Sequence, residues 1–392
     1  MTKSSRVTLV GFCVAVALMI AFTATPGHAD DEGLILKKLT NVSVVSTTVP
    51  SNGDVNPYGI VLVPRSVGNL HKGHFLISNF NNSTNAQGTG TTIVDVAPDG
   101  SSFTVFAQLA AGNLPGSCPG GLGLTTALSV LESGWVIVGS LPTSDGTSAT
   151  AQAGCLIVID SHGNAVETIS GGPINGPWDM TAFDAGSFVE LFVTNVLNGT
   201  VAANGDVVNG GTVVRINLAV LPNHKPFVLS ETIIASGFAE RTDPAALVVG
   251  PTGVALSNPC DLRDPDDCAK GGVAPGERVL FVADSASNRI AVIPFPLIRE
   301  NSAGPGITLT SGGTLNAPLG LAVAPNGHVL TVNGDDGNIV ETTPRGVQIA
   351  TELIDSTGGP PPGNGTLFGL AFDGEGKIYF VDDGSNTLSL LQ

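Results

Sequence analysis

Four aspartates between two cysteines are the densest group of potential metal ligands in the sequence. They are Asp261, Asp264, Asp266 and Asp267, in the segment from Cys260 to Cys268. Carboxylate oxygens are the ligands that Ca²⁺ prefers, so one interpretation is a calcium site within a disulfide-closed loop. The spacing lacks the Asp-x-Asp-x-Asp-Gly register of known calcium loops, which favours the alternative, a solvated acidic loop. No other cofactor is predicted.

A second group of candidate residues recurs in a repeated local pattern. In most copies an apolar or aromatic residue stands directly before a Gly and a further apolar residue, with Asp179 replacing the Gly once. In three copies the residue before the Gly position is aromatic: Tyr58, Trp178 and Phe368. Small polar residues follow each copy, among them Asn79, Asn195, Asp284 and Asp383. An apolar floor with a few polar anchors suits a small-ligand pocket. The alternative is that the aromatic rings pack the interior and the Asn and Asp side chains cap turns.

The same repeat predicts the elements that must position these residues. The first motif occupies residues 57–60, 121–124, 177–180, 251–254, 318–321 and 367–370. The second motif, an apolar residue two places before a small or polar one, ends at Asn79, Ser140, Asn195, Asp284, Gly334 and Asp383. Strands of period two and tight turns lie between the motifs. Four antiparallel strands repeated six times predict an all-β fold, a six-bladed β-propeller.

The two ends of the repeat predict how the ring closes. The last copy stops at Gln392, directly after its third strand, so the sixth blade lacks a fourth strand. Residues 34–45 have the pattern of a strand and belong to no blade. We therefore expect this N-terminal strand to complete the last blade, which leaves no free strand edge. One propeller domain is predicted over residues 30–392.

The fourth copy resembles a known repeat. Residues 250–254 (GPTGV) and 282–290 (VADSASNRI) closely resemble an NHL repeat, copies five and six fit it more loosely, and copies one to three match only at the motif positions. The resemblance implies an NHL-like propeller. That fold carries both enzymes and pure binding modules, so it implies no single function.

Two enzyme families are related in fold to this repeat. In the gluconolactonase-like (SMP-30) propellers, an Asn and an Asp in the position before the motif Gly help to hold a catalytic divalent metal. The positions that match here are Tyr58, Leu122, Trp178, Thr252, Leu319 and Phe368. None is a carboxylate or an amide, whereas hard divalent ions require oxygen ligands. The comparison therefore implies that this metal site is absent, and Asp179, one place later, does not replace it.

The second family, the streptogramin-lyase-like propellers, uses a His with a nearby carboxylate and a metal. The histidines that follow residue 29 are His71, His74, His162, His224 and His328. In our strand assignment each lies at a turn between strands one and two or strands three and four of a blade. These turns are on the face opposite the aromatic positions, which departs from the lyase pattern.

Composition and charge exclude several classes of function. Hydrophobic residues make up 42% of the 392 residues and charged residues 12%, with 51 Gly, which is typical of a folded β-rich chain and not of a helical bundle. The net charge of −17 provides no electrostatic footprint for nucleic acid or for an anionic membrane surface. Nucleic-acid binding is therefore excluded.

Residues 1–29 have the order of a secretory signal peptide. Lys3 and Arg6 precede an uncharged, mostly apolar run over residues 7–23, and a small-residue site ends at Ala29. The alternative is an N-terminal anchor helix. After cleavage no apolar run is long enough to span a bilayer. These features predict a secreted or periplasmic protein that does not span a membrane.

Four cysteines follow the predicted cleavage site. An oxidising compartment favours disulfides over a zinc site, and the spacings contain no paired C-x-x-C. We expect the pairs Cys260–Cys268 and Cys118–Cys155. The second pair is plausible because both residues would lie on the face that carries the long loops 81–90, 142–155 and 198–210.

Together these observations predict an exported, monomeric binding or scaffold protein. Its top face, where the aromatic positions lie, would recognise a small ligand, a glycan or another exported protein. The alternative is a lactonase-type or lyase-type propeller enzyme with a non-standard site in the central channel, formed by Asp179, Asp284 and Asp383.

Overall fold

The computed structural model describes Met1, residues 33–258 and residues 276–392. The chain separates into Met1–Gly33 and Leu34–Gln392, and every strand described below belongs to the second unit. The predicted signal peptide, apart from Met1, and the predicted Cys260–Cys268 pair with its four aspartates lie outside the described residues. Within the described residues, no helix is both long enough and apolar enough to cross a bilayer.

The first strand, β1 (Val42–Thr47), belongs to the last blade of the ring, and blades 1 to 5 follow it in the chain. Blade 1 contains β2 (Val55–Leu62), β3 (Phe75–Asn81), β4 (Thr92–Val96) and β5 (Phe103–Gln108). Blade 2 contains β6 (Leu124–Val130), β7 (Val136–Ser140), β8 (Cys155–Ile159) and β9 (Ala165–Ile169). Blade 3 contains β10 (Pro177–Asp184), β11 (Phe188–Asn195), β12 (Val208–Ala219), β13 (Phe227–Asp243) and β14 (Leu247–Val249).

The remaining three blades each have four strands. Blade 4 contains β15 (Pro251–Leu256), β16 (Val279–Asp284), β17 (Arg289–Pro294) and β18 (Ile307–Ser311). Blade 5 contains β19 (Pro318–Val323), β20 (Val329–Asn333), β21 (Asn338–Thr342) and β22 (Gln348–Leu353). Blade 6 contains β23 (Leu367–Phe372), β24 (Ile378–Asp382), β25 (Thr387–Leu391) and β1. The described part of the chain has one α-helix, α1 (Thr200–Ala203), in the β11–β12 connection.

The blades form a closed ring, which confirms the predicted six-bladed propeller. The innermost strands β2, β6, β10, β15, β19 and β23 pack against one another in this order, and β23 packs against β2. They surround a central channel and all begin on the same face, which we call the top face. The opposite face is the bottom face. Blade 3 differs from the prediction because it has a fifth strand, which forms a hairpin with the long β13.

Packing on both sides explains why the middle strands of the blades lack a polar face. β3 buries all seven of its residues and β8 all five, whereas the outermost strands β9 and β22 are only half-buried. Each blade is covered by a blade on either side, so its middle strands are buried on both faces and the outermost strands meet water at the rim of the ring.

The N-terminal strand closes the ring as predicted. β1 pairs antiparallel with β25, with Val42 opposite Leu391 and Thr47 opposite Thr387. The closing strand is shorter at its start than the predicted 34–45, because residues 36–38 form a 3-10 turn instead.

This turn is held by a buried carboxylate of blade 5. The backbone N–H groups of Ile35 and Leu36 each donate to Glu341 Oε2 at 3.0 Å, and the Leu36 side chain is fully buried. Burial alone would raise the pKa of Glu341, but the bonds from His328, Leu36 and Ile35 lower it below its ordinary value. A charged carboxylate therefore anchors the N-terminal segment.

The predicted pair Cys118–Cys155 is confirmed as a disulfide, with its Cα atoms 5.3 Å apart. It joins the connection that leads into blade 2 to the first residue of β8. Disulfides form and persist in oxidising compartments, so this bond suits an environment outside the cytosol.

Candidate functional site

Each innermost strand bulges near the top face, and the residues at these bulges form a ring around the channel. The ring residues are Tyr58, Thr126, Trp178, Thr252, Leu319 and Phe368. Blade 2 differs from the sequence-based assignment of Leu122. There β6 begins only at Leu124, and its register shift extends to Leu128, so Leu122 and the Gly on either side of it precede the strand.

The repeated Gly of the motif allows the blades to approach each other at this ring. A Cβ atom at Gly369 would lie 2.5 Å from the Tyr58 carbonyl oxygen, and one at Gly59 would lie 2.7 Å from the Thr126 carbonyl oxygen. Real side chains do not tolerate such distances, so only Gly lets one backbone touch the next. The motif thus reflects packing between blades.

Three of the predicted ligand-binding residues form an aromatic stack inside the ring. The Tyr58 ring centroid lies 3.9 Å from that of Phe368, 4.5 Å from that of Phe80 and 6.2 Å from that of Trp178. Tyr58, Trp178 and Phe368 are only 4–5% exposed. Burial, and then the nearby charge of Asp383, raises the pKa of the Tyr58 hydroxyl. The rings fill the upper channel with one another.

A hairpin covers this stack at the top face. β13 and β14 pair antiparallel, and Leu247 and Val248 belong to the same buried apolar cluster as Tyr58 and Trp178. The side-chain amide of Gln87 in blade 1 donates to the Ala245 carbonyl at 3.1 Å, which ties the hairpin to the opposite loop. We call residues 241–249 the cap. The cap and the aromatic stack together close the upper channel.

Three of the four predicted polar anchors are engaged elsewhere. Asn79 donates to the Thr48 carbonyl at 3.0 Å, and Asn195 accepts from the Asn175 N–H at 3.2 Å, so each side chain holds the loop that leads into its own blade. Asp284 accepts from Arg289 Nε at 2.8 Å. All three are fully buried. In this structure they serve as loop and strand-end contacts.

Asp383 differs from these three. The strand register matches Asp382 with Asn195, so Asp383 lies one residue later, after the end of β24. Burial and then the charge of Asp382 raise the pKa of Asp383 to about 7. Of the four predicted anchors, Asp383 is therefore the one that best keeps the character of a ligand anchor, and its charge adds to burial in raising the pKa of the Tyr58 hydroxyl.

The lower half of the channel is open space. A cavity of about 380 Å³ is lined by the innermost strands below the ring. Its walls include the apolar side chains of Met180, Leu321 and Leu370, and the half-exposed Leu62 and Leu256 lie at its bottom rim. Sequence reasoning missed this cavity because its lining has no motif of its own.

Among the described residues, Asp179 is the only ionisable one that lines the cavity. It occupies the Gly position of blade 3, and its Oδ2 accepts from the Val254 N–H of blade 4 at 2.9 Å. Burial raises the pKa of Asp179 to about 7, although the N–H groups of Val254 and Met180 oppose the shift. One carboxyl group can bind a polar ligand or exchange a proton.

The channel does not fit the divalent metal of gluconolactonase-like propellers. The six ring residues offer two hydroxyl groups, one phenol and no carboxylate or amide, and the stacked rings occupy the space above them. A hard divalent ion requires several oxygen ligands, and Asp179 supplies one carboxylate. We derive no metal-dependent step at this site.

The fold of the chain is similar to that of several solved enzyme and calcium-binding propellers. A gluconolactonase from Xanthomonas campestris matches with 14% identity and a TM-score of 0.53, covering 93% of this chain and 92% of its own. A luciferin-regenerating enzyme matches with 12% identity and a TM-score of 0.52, over 90% and 95% of the two chains. Regucalcin from Agrobacterium tumefaciens, a calcium-binding protein, matches with 12% identity and a TM-score of 0.51, over 89% and 95%.

At these identities the likeness shows the fold alone. No protein-family model and no curated protein sequence matches this chain. The function must therefore be argued from the channel and the surface.

Asp179 makes the stability of the fold depend on pH. Its pKa rises from 3.8 to about 7 on folding, so between these values the folded chain holds a proton that the unfolded chain has lost. The free energy of unfolding therefore falls as the pH rises through this window. One proton can change the free energy of unfolding by at most about 1.4 kcal/mol per pH unit. Because Asp179 is only half-buried, solvent screens its charge, and we expect the free energy of unfolding to fall by only about 1–2 kcal/mol across the whole window.

Chemical denaturation from pH 5 to pH 8 checks this expectation. Asp179→Asn keeps an oxygen for the Val254 N–H, and it should be more stable than the parent at pH 8 and have a flatter pH profile. The exposed Asp206→Asn is the matched control and should leave the profile unchanged. Parallel profiles for the parent and Asp179→Asn would contradict the assignment.

Proposed function

We infer that the protein is an exported propeller that binds a glycan or protein partner through its top face. The observation that carries this inference is the closed upper channel: a substrate entering from the top would meet the cap and the aromatic stack. Binding must then use the surface of the loops instead of a pocket beneath them. Fold similarity to lactonase-type propellers does not argue against this, because function belongs to the site and not to the fold.

The top loops are held together in a way that suits recognition. Thr143 Oγ1 donates to the Gln87 carbonyl at 2.6 Å, linking the loops of blades 2 and 1, and the Cys118–Cys155 disulfide fixes a further loop. The exposed residues of these loops include the polar Thr84 and Asp145. A rigid surface loses little conformational entropy on binding. Polar groups on such a surface support a hydrophilic partner.

Export is supported by two independent features. The order of residues 1–29 is that of a signal peptide, and the disulfide is of the kind that persists outside the reducing cytosol. The partner is accordingly a component of the periplasm or the cell exterior, and the protein acts as a monomer.

Photo-crosslinking tests the assigned face. A benzophenone amino acid replaces Ser144, which is exposed on a top loop, or Ser133, which is exposed at the bottom-face β6–β7 turn. After irradiation of the producing cells, the Ser144 variant should give a discrete adduct, identified by mass spectrometry, and the Ser133 variant none. A glycan array probed with the same protein covers carbohydrate partners. Adducts from the Ser133 variant alone would show that the partner binds the bottom face and would contradict the proposal.

One observation favours a second function. A carboxyl group with a pKa near 7 beside a cavity is a common feature of ligand-binding and catalytic sites, and Asp179 has both properties. A lactonase-type or lyase-type reaction would then use the lower channel. Of the predicted acidic trio, Asp284 is paired with Arg289 and Asp383 does not line the cavity, so Asp179 would act without them. A panel of lactones tests this function. If the parent protein hydrolyses one of them and Asp179→Asn does not, the catalytic role replaces the binding role.

A further inference from the structure

Two histidines and one aspartate meet on the bottom face of blade 1, remote from the cap and the aromatic stack. One ligand atom each from His71, His74 and Asp95 lies within 4.8 Å of the other two. His74 Nδ1 is 2.5 Å from Asp95 Oδ1, and His71 Nδ1 is 3.7 Å from Asp95 Oδ2. We call these three residues the bottom-face cluster.

The sequence between the two histidines holds them on one side of a turn. The His74 N–H donates to the His71 carbonyl at 3.1 Å, which closes a four-residue turn between β2 and β3. Gly73, the third residue of this turn, has φ of +85°, a conformation that glycine adopts without strain. The turn is tied to the blade, because Val63 and His74 form a backbone hydrogen bond of 2.8 Å. Both imidazoles are therefore positioned before any ligand binds.

Asp95 supplies the buried part of the cluster. It lies on β4 opposite Leu76, and its side chain is 2% exposed. Its Oδ2 atom is buried and has no hydrogen-bond partner. A buried carboxylate oxygen without a partner costs free energy, and a cation bound at this oxygen would offset that cost.

Blade 5 contains an equivalent pair that lacks these features. His328 Nδ1 lies 2.6 Å from Glu341 Oε1, and Glu341 occupies the strand position that Asp95 has in blade 1. Both Glu341 oxygens also accept hydrogen bonds from the N-terminal segment at Ile35 and Leu36. The blade 5 carboxylate is thus fully satisfied by the protein, whereas that of blade 1 is not.

We propose that the bottom-face cluster binds one late first-row divalent metal ion, with Zn²⁺ as the best match. Imidazole nitrogen and carboxylate oxygen are zinc ligands at about 2.0–2.2 Å, and the three groups need only small side-chain movements to reach such distances. The cluster is open to solvent on one side, because the His71 side chain is 60% exposed. Water or a donor group from a partner would occupy the fourth coordination position. Ca²⁺ is disfavoured, since it requires six or more oxygen ligands.

Isothermal titration of the metal-free, tag-free mature protein with ZnCl₂ tests this site. We expect one Zn²⁺ per chain, with binding unaffected by excess Ca²⁺, and a higher unfolding temperature of the zinc-bound protein. His71→Ala removes an exposed ligand without disturbing the core, and it should weaken binding at least as much as the loss of an outer-shell partner does, about 10–100-fold. Asp95→Asn should do the same.

The controls separate this site from other metal-binding groups. His162→Ala removes an exposed histidine at a different bottom-face turn and should leave the affinity unchanged. If Asp95→Asn does not fold, His71→Ala decides the question, because its side chain is mostly exposed. Absence of zinc binding to the parent protein would overturn the proposal. Equal affinity in the parent and in His71→Ala would also overturn it, because the bound zinc would then lie elsewhere.

Discussion

Replacing Gly320 by Ala should destabilise the propeller by about 3 kcal/mol, which is a large effect for the addition of one methyl group. A Cβ atom there would overlap the Phe368 carbonyl oxygen of blade 6 and would lie 3.0 Å from the Leu370 side chain. The carbonyl belongs to a backbone held in the ring, so it cannot move aside without shifting a blade. Gly320 does not have a positive φ, so the cost arises from contact between blades and not from backbone strain.

Urea denaturation of Gly320→Ala measures the effect, and Gly374→Ala is the matched control. Gly374 lies in the β23–β24 turn and does not have a positive φ, and a Cβ atom added there would have no neighbouring atom within 4 Å. Its replacement should be neutral or slightly stabilising, because Ala restricts the unfolded chain. If both variants unfold at the same urea concentration, the motif Gly is not an inter-blade contact.

Removal of residues 33–47 should have an even larger effect, because it deletes both the buried N-terminal turn and the closing strand. Loss of a fully buried Leu such as Leu36 alone costs about 2–5 kcal/mol. The deletion also removes the Ile35 and Leu36 N–H donors from the buried Glu341 carboxylate, which keeps only its contact with His328, and it exposes the edge of β25. The total approaches the whole stability of many domains, about 5–15 kcal/mol.

We expect the truncated protein to be largely unfolded or to associate through the exposed β25 edge. Size-exclusion chromatography and thermal unfolding detect these outcomes. A synthetic peptide of residues 33–47, added in excess, should restore the monomer, while a peptide of the same composition in scrambled order should not. A truncated protein that stays monomeric at the parental unfolding temperature would show that the ring does not depend on this strand.

The fold was predictable because its determinant is local and repeated. A Gly such as Gly59 or Gly369 is required wherever one blade touches the next, so the contact appears in the sequence as a motif. Closure was predictable for a related reason: the last blade lacked one strand, and an unassigned strand remained at the other end. The pairing Cys118–Cys155 followed from the same arrangement of loops.

The details of the site depended on contacts that the sequence does not display. Leu122 matched the motif better than Thr126, but β6 begins after it. The cap was missed because Leu247 and Val248 lie in a three-residue strand, β14, which is a fifth strand in a blade that was predicted to have four. The pairing of His71 with Asp95 joins a turn to a strand, and only the register between β3 and β4 brings them together.

The aromatic stack beneath the cap also has an optical consequence. The chain contains two tryptophans: Trp178 is 5% exposed within the stack, whereas Trp135 lies near the β6–β7 turn on the opposite face. Indole emission depends on the polarity of its surroundings, so the two ends of the channel carry separate intrinsic fluorophores. In a Trp135→Phe background the remaining emission comes from the residue under Leu247 and Val248. Every displacement of the hairpin can thus be followed in real time without attaching a dye.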